Sequence, residues 1–331
     1  MTSEVVVVTG GTAGVGRATA LAFAARGASV AVLARDPARL EDTRAEIERL
    51  GGKALALPVD VAVAAQVEAA AERVERELGP IGIWVNNAMA TVFSPTLDIP
   101  PEEFERAVRV TFMGTVYGTL AALRRMLGRN RGTIVQVGSA LSYRAIPLQA
   151  PYCAAKHAVK GFTDSLRSEL IHDGCSVRLT MVQLPALNTP QFSWCRARVE
   201  RQPKPVGRIF QPEVAAEAIV WAASHRRREV FVGWPTVEAI QAQKFIAKIL
   251  DRYLAKKGYD GQLTDEPLPG GREGNLFSPV AGSFGAHGRF DREARRGSFQ
   301  LWLNLNRSWV LPALLGASAL VLLILRIAGA A

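Results

Sequence analysis

Glu4-Val5-Val6-Val7-Val8-Thr9-Gly10-Gly11-Thr12-Ala13-Gly14-Val15-Gly16 decides the fold. Four consecutive valines and a threonine favour an extended, fully buried strand. The glycines that follow allow a tight turn, and from Val15 an amphipathic run continues to Arg26 as a helix. A glycine turn between strand and helix lets backbone come close to a pyrophosphate. The helix N-terminus there adds N–H donors and a positive dipole end. The spacing is TGxxxGxG rather than GxGxxG.

Working outward, apolar runs alternate with helical patterns. The runs Glu4–Thr9, Ser29–Leu33, Ala54–Pro58, Ile81–Asn86, Thr133–Val137, Ser176–Gln183 and Glu229–Val232 predict strands. Helices are predicted between them at Val15–Arg26, Pro37–Leu50, Val63–Leu78, Pro101–Leu127, Tyr152–His172 and Pro212–Ser224. This alternation predicts an α/β fold with a parallel, doubly wound sheet. Thr236–Lys257 reads as a further helix, with Ile246, Ile249, Leu250 and Tyr253 on one face, expected to pack on the domain. Residues 258–307, rich in Gly, Pro and polar side chains at the start, read as a linker. The first domain is thus 1–257.

Two features suggest chemistry. Leu33-Ala34-Arg35-Asp36 stands where an NAD-binding fold carries an acidic residue for the ribose. Asp36 before Pro37 reads as a helix N-cap, and the Arg35 guanidinium suits a 2′-phosphate, so NADP is expected over NAD. Tyr152 and Lys156, four apart on a helix, share a face. A cation near the phenol lowers its pKa, which makes Tyr152 a general acid/base. Ser139, just after the strand Thr133–Val137, lies at the carboxyl end where such sheets bind ligands, and its hydroxyl suits a substrate carbonyl.

Taken in order, Thr9–Gly16, Asn86-Asn87-Ala88-Met89, Ser139 and Tyr152–Lys156 resemble the TGxxxGxG, NNAG, Ser and YxxxK set of the short-chain dehydrogenase/reductase family. The resemblance covers residues 1–257 and implies a Rossmann-type sheet and hydride transfer between NADP and a carbonyl or alcohol. It implies catalytic roles for Ser139, Tyr152, Lys156 and Thr111, the last replacing an asparagine that holds a water. For the cofactor it implies Thr9, Gly10, Thr12, Gly14, Val15, Gly16, Arg35, Asp60, Val61, Asn86, Ala88, Tyr152, Lys156 and Thr189. It also implies an oligomer interface on the long helices Pro101–Leu127 and Tyr152–His172. Met89 and Ala186 stand where the family has glycine.

The resemblance also implies that the segment Gln191–Gln211 caps the site. Phe192, Trp194, Ile209 and Phe210 there point either to an apolar substrate or to packing under the cap itself. Trp309–Leu325 carries no charge and is expected to anchor the chain in a membrane as a helix over 308–326. Arg289, Arg292, Arg295, Arg296 and Arg307 precede it and only Arg326 follows, which places the catalytic domain on the cytoplasmic side. No secretory signal is expected from Met1–Glu4, and three unpatterned cysteines suit a reducing compartment. No metal site is expected from four scattered histidines. The net charge of +10 alone does not make a nucleic-acid binder. An alternative to an enzyme is a weakly catalytic NADP-binding sensor or scaffold on a membrane.

Overall fold

The structure, a computed structural model, describes residues 4–272, 274–310 and 312. Seven strands form one parallel sheet: β1 (Val5–Thr9), β2 (Ser29–Ala34), β3 (Ala54–Pro58), β4 (Ile81–Asn86), β5 (Thr133–Val137), β6 (Arg178–Gln183) and β7 (Glu229–Phe231). Their order is β7-β6-β5-β4-β1-β2-β3. The order reverses at β1, so a crevice opens between the carboxyl ends of β1 and β4, the position where doubly wound sheets bind ligands.

Alternation along each strand divides the core in two. Val6, Val8, Val30 and Val32 face α1 (Gly14–Ala24), and the same core takes in residues of a later helix, Pro212–Ser224. Val5, Val7, Ala31 and Leu33 face the opposite way with Trp84 and Ile134, toward the helices Ala64–Leu78 and Gly114–Met126. Burial on both faces explains why the strands are nearly continuous apolar runs. Asp36 caps α2 (Pro37–Arg49) as expected, accepting from the Arg39 N–H at 3.1 Å.

Three local expectations change. The single helix expected at Pro101–Leu127 is interrupted by a π-turn over Arg109–Met113, between Pro101–Val108 and Gly114–Met126. Such bulges insert one residue and re-aim a side chain, and this one carries Thr111. The helix Trp234–Lys257 does not bury the face read from its spacing. Ile246, Ile249 and Tyr253 are 43%, 60% and 60% exposed, and the helix is kinked at Ile246. Its first half is anchored by the buried Thr236 and Ile240, and beyond the kink Leu250, Tyr253 and Leu254 line the cleft.

The stretch 258–307, read as a linker, folds back along the domain. Leu263–Pro267 pairs antiparallel with Arg201–Pro203, and Leu276, Phe290, Leu301 and Leu305 are buried. Its glycines serve close approach here. A Cβ on Gly274 would lie 2.8 Å from the Arg196 Cα, and one on Gly288 2.5 Å from the Thr189 carbonyl oxygen. Glycine-rich composition therefore marks tight packing as well as flexibility. The expected membrane helix at 308–326 falls mostly outside the described residues. Among those described, no helix is long and apolar enough to cross a membrane.

Candidate active site

The strand ends and their loops enclose a cleft of about 480 Å³. Its floor at one end is the glycine turn. Gly14 has φ +54°, a left-handed conformation that favours glycine. A Cβ on Gly10 would lie 2.9 Å from the Ala88 Cα, so β1 and β4 can converge here only without a side chain. Gly16 is a packing glycine of another kind, since a side chain there would run into the Gly10 carbonyl. It holds α1 against the turn and does not line the cleft.

Gly10, Thr12, Gly14, Val15, Arg35, Asp60, Val61, Ala88 and Thr189 all line the cleft, together with Ser139, Tyr152 and Lys156. Thr9 and Asn86 do not. Thr9 Oγ1 accepts from the N–H groups of Asn87 and Ala88 at 3.0 and 3.1 Å, tying the ends of β1 and β4 together. Asn86 is 3% exposed and points into the core beneath the sheet. Its Oδ1 accepts from Trp84 Nε1 at 2.8 Å, and its Nδ2 donates to Thr119 Oγ1 and Gln136 Oε1 at 3.0 and 2.9 Å. Period-two alternation turns the next residue, Asn87, to the cleft, where its amide donates to the Thr9 and Gly10 carbonyls.

At the other end, Lys156 is buried and its Nζ donates to the Val137 carbonyl at 2.6 Å. It lies 5.6 Å from the centre of the Tyr152 ring. Burial pushes the ammonium down to about 8. The Tyr152 phenol stands above its ordinary value, the reverse of the direction expected from Lys156. Burial dominates, while a hydrogen bond with the Ser139 side chain works the other way. Ser139 is fixed in turn. Its N–H donates to Gln183 Oε1 at 2.9 Å, and its hydroxyl accepts from the Leu141 N–H at 3.1 Å. Gln183 donates to Glu229, which also accepts from the Tyr143 hydroxyl at 2.7 Å. This Gln183–Glu229–Tyr143 support was missed in the sequence. Its only trace there is a glutamine ending an apolar strand.

Thr111 holds no place in the cleft. It is fully buried, and its hydroxyl donates to the Ala90 carbonyl and accepts from the Ala90 N–H, both at 3.0 Å. With one hydrogen and one lone pair engaged, it pins the loop after β4 to the π-turn.

The capping segment is mostly turned on itself. Phe192, Ile209 and Phe210 are 4–5% exposed, and Phe192 packs edge-on against Phe93 and Phe290. Arg196 and Arg198 converge on the buried Glu103 carboxylate, at 3.0 and 2.5 Å. Trp194 packs edge-on against Phe284 and under the Arg39 guanidinium, and like Phe192 it also lines the cleft.

Residues 275–285 cross the glycine-turn end as a strap. Arg35 donates to the carbonyls of Asn275, Leu276 and Phe277, the last two at 3.1 and 2.9 Å. Arg106 joins the Leu276 carbonyl to Asp60. Burial opposes ionisation of Asp60, but the Arg106 guanidinium and the Ala62 N–H outweigh it and hold the carboxyl below its usual range. The Gly14 N–H donates to the Gly285 carbonyl at 3.2 Å. Carbonyl oxygens thus occupy a helix N-terminus and a guanidinium, the two donors an anionic dinucleotide would use. The donor set fits a nicotinamide dinucleotide, which would exchange for these carbonyls.

A family model described as short chain dehydrogenase matches residues 4–198. An uncharacterised oxidoreductase of Bacillus subtilis (strain 168) is 31% identical over 281 residues, 84% of this chain and 79% of that protein. Estradiol 17-beta-dehydrogenase 11 of Pongo abelii is 28% identical over 262 residues, 78% of this chain and 85% of that one. Among solved structures, a metagenomic short-chain oxidoreductase in complex with NADP superposes with a TM-score of 0.59 at 26% identity, covering 69% of this chain and 96% of that one.

Proposed function

The chain belongs to the short-chain dehydrogenase/reductase family of NAD(P)-using oxidoreductases, and from that premise we propose that it interconverts a carbonyl and an alcohol on a hydrophobic substrate with NADP. The observation that carries this reading is the convergence of Ser139, Tyr152 and Lys156 in one cleft with the Gly10–Val15 turn. When bound, the nicotinamide supplies or accepts the hydride.

The chain's own residues do the rest. Tyr152 moves the proton at the substrate oxygen, giving it in reduction and taking it in oxidation. Ser139, held by Gln183, orients that oxygen. A protonated phenol can give its proton in carbonyl reduction, and the phenolate takes one in alcohol oxidation. Lys156, charged below about pH 8, adds a positive field that eases loss of the tyrosine proton as the reaction proceeds. Thr111 is a positioning residue that fixes the Ala88–Ala90 loop.

Arg35 at the strap end supports NADP over NAD, as does the NADP complex of the similar metagenomic enzyme. The substrate end is lined by Leu184, Val206, Ala239, Leu250 and Leu254 among others, which suits an apolar compound. The relative named for estradiol agrees with such a substrate class. The deciding experiment is NADPH and NADH oxidation against steroid, retinoid, fatty-acyl and quinone carbonyls. Turnover with none of them, while NADPH binds, would favour the sensor or scaffold instead.

Trp309–Leu325 is part of the same proposal, as an anchor that leaves the catalytic domain on the cytoplasmic side. Carbonate extraction of membranes tests it: intact protein released to the soluble fraction overturns the anchor. A homo-oligomer through the helices flanking the π-turn and Ala150–His172 is the corresponding proposal for assembly.

A further inference from the structure

The second half of the helix Trp234–Lys257 carries an arrangement that the catalytic reading does not use. Beyond its kink at Ile246, three ridges run side by side with a spacing of four residues. Leu250 and Leu254 form the first and line the substrate end of the cleft. Ile249 and Tyr253 form the second, each 60% exposed, and before the kink Phe245 adds to it at 80%. Lys248, Arg252 and Lys256 form the third and are exposed. The apolar ridge therefore stands between the cleft and a row of cations.

Acidic neighbours do not cancel that row. Asp251 is bonded to Arg144 at 2.7 Å and Asp260 to Arg201 at 2.5 Å. None of the three cations has an ion-pair partner among the described residues. Tyr253 both lines the cleft and faces outward, so it stands at the rim.

We propose that this helix face docks the mouth of the cleft on an anionic lipid surface, with Phe245, Ile249 and Tyr253 in the acyl boundary and the cations at the headgroups. An apolar ridge flanked by long basic side chains is the pattern of an interfacial helix, because Lys and Arg stems reach from apolar surface back to anionic headgroups. A second copy is the less favoured occupant. Two such faces packed together would bring like charges into register, whereas a bilayer of opposite charge pairs with them. An apolar substrate dissolved in the lipid would then enter the cleft past Tyr253 without crossing water. This last step rests on the function proposed above; the docking itself does not.

The test uses the full chain with Ile249→Cys labelled by an environment-sensitive dye, in a Cys175→Ser background, since Cys153 and Cys195 are buried. Phosphatidylcholine vesicles with and without phosphatidylglycerol are added. The expected result is a blue shift and several-fold brightening with the anionic vesicles, much reduced by Lys248→Glu with Arg252→Glu. Attachment through the C-terminal segment alone would leave the dye in water and overturn the proposal. A shift that grows with protein concentration without lipid would assign the face to a second copy. A shift present at every concentration without lipid would assign it to the chain's own C-terminal residues, and either result overturns docking on lipid. None of these readouts depends on turnover, so failure of docking and failure of the enzymatic reading are distinguishable.

Discussion

Asn86→Ala separates a structural role from a cofactor role at a residue whose motif suggests the second. The asparagine makes three buried hydrogen bonds, to Trp84, Thr119 and Gln136. Truncation leaves the Trp84 indole N–H and the Gln136 carbonyl oxygen without this partner. Thr119 keeps its bonds to Gln136 and to the Thr115 carbonyl, at 2.8 and 2.7 Å. Each orphaned buried group costs about 1–3 kcal/mol, so the loss is about 2–6 kcal/mol, lower if water enters the space. That is a large part of a stability of about 5–15 kcal/mol. Urea unfolding without cofactor should show the midpoint fall at an unchanged slope. NADPH titration of the folded variant should give a Kd within about threefold of the parent, or less than 1 kcal/mol. Unchanged stability with a Kd raised more than about tenfold would refute the reasoning and return Asn86 to the cofactor site. Gly118→Ala attacks the same network from the facing helix, since its new Cβ would meet the Asn86 and Trp84 side chains.

The other expectations concern the cleft. Tyr152→Phe should lower carbonyl reduction at least about a hundredfold and leave NADPH binding intact; near-normal turnover would reject its role. Arg35→Ala should weaken NADPH about tenfold to a hundredfold through loss of a charge-assisted bond. NADH should hardly be affected, and equal losses would remove Arg35 as the 2′-phosphate reader. Burial lowers Lys156 from 10.5 to about 8, so between these values the unfolded chain holds a proton that the folded chain has released. Stability of the chain without cofactor should therefore rise with pH across that window, by on the order of 3 kcal/mol. Lys156→Met should abolish that contribution and be the more stable below pH 8, as read by urea midpoints from neutral to alkaline pH.

The strand and helix order, the glycine turn and the Tyr152–Lys156 step were legible because each rests on short-range rules, while Ser139 was joined to them by its place at a strand's carboxyl end and by the family resemblance. Period-two and period-3.6 patterns mark buried faces, and a glycine turn between strand and helix has few alternatives. A four-residue helical step sets Tyr152 and Lys156 on one side. Tertiary structure decided what fills the space around them. Asn86 and Asn87 are chemically identical neighbours, and only the pleat of β4 sends one to the core and the other to the cleft. Thr111 is aimed by a π-turn whose bonds run to Ala90, a contact no local pattern records. The glycines of 258–307 read as a linker, yet Gly274 and Gly288 are small because other backbone lies against them. Ile249 and Tyr253 share a helical face by spacing alone, but spacing cannot say whether protein covers it. Periodicity reports which side chains lie together along one element. Which surface meets that face depends on contacts distant in sequence, and those exist only after the chain has folded.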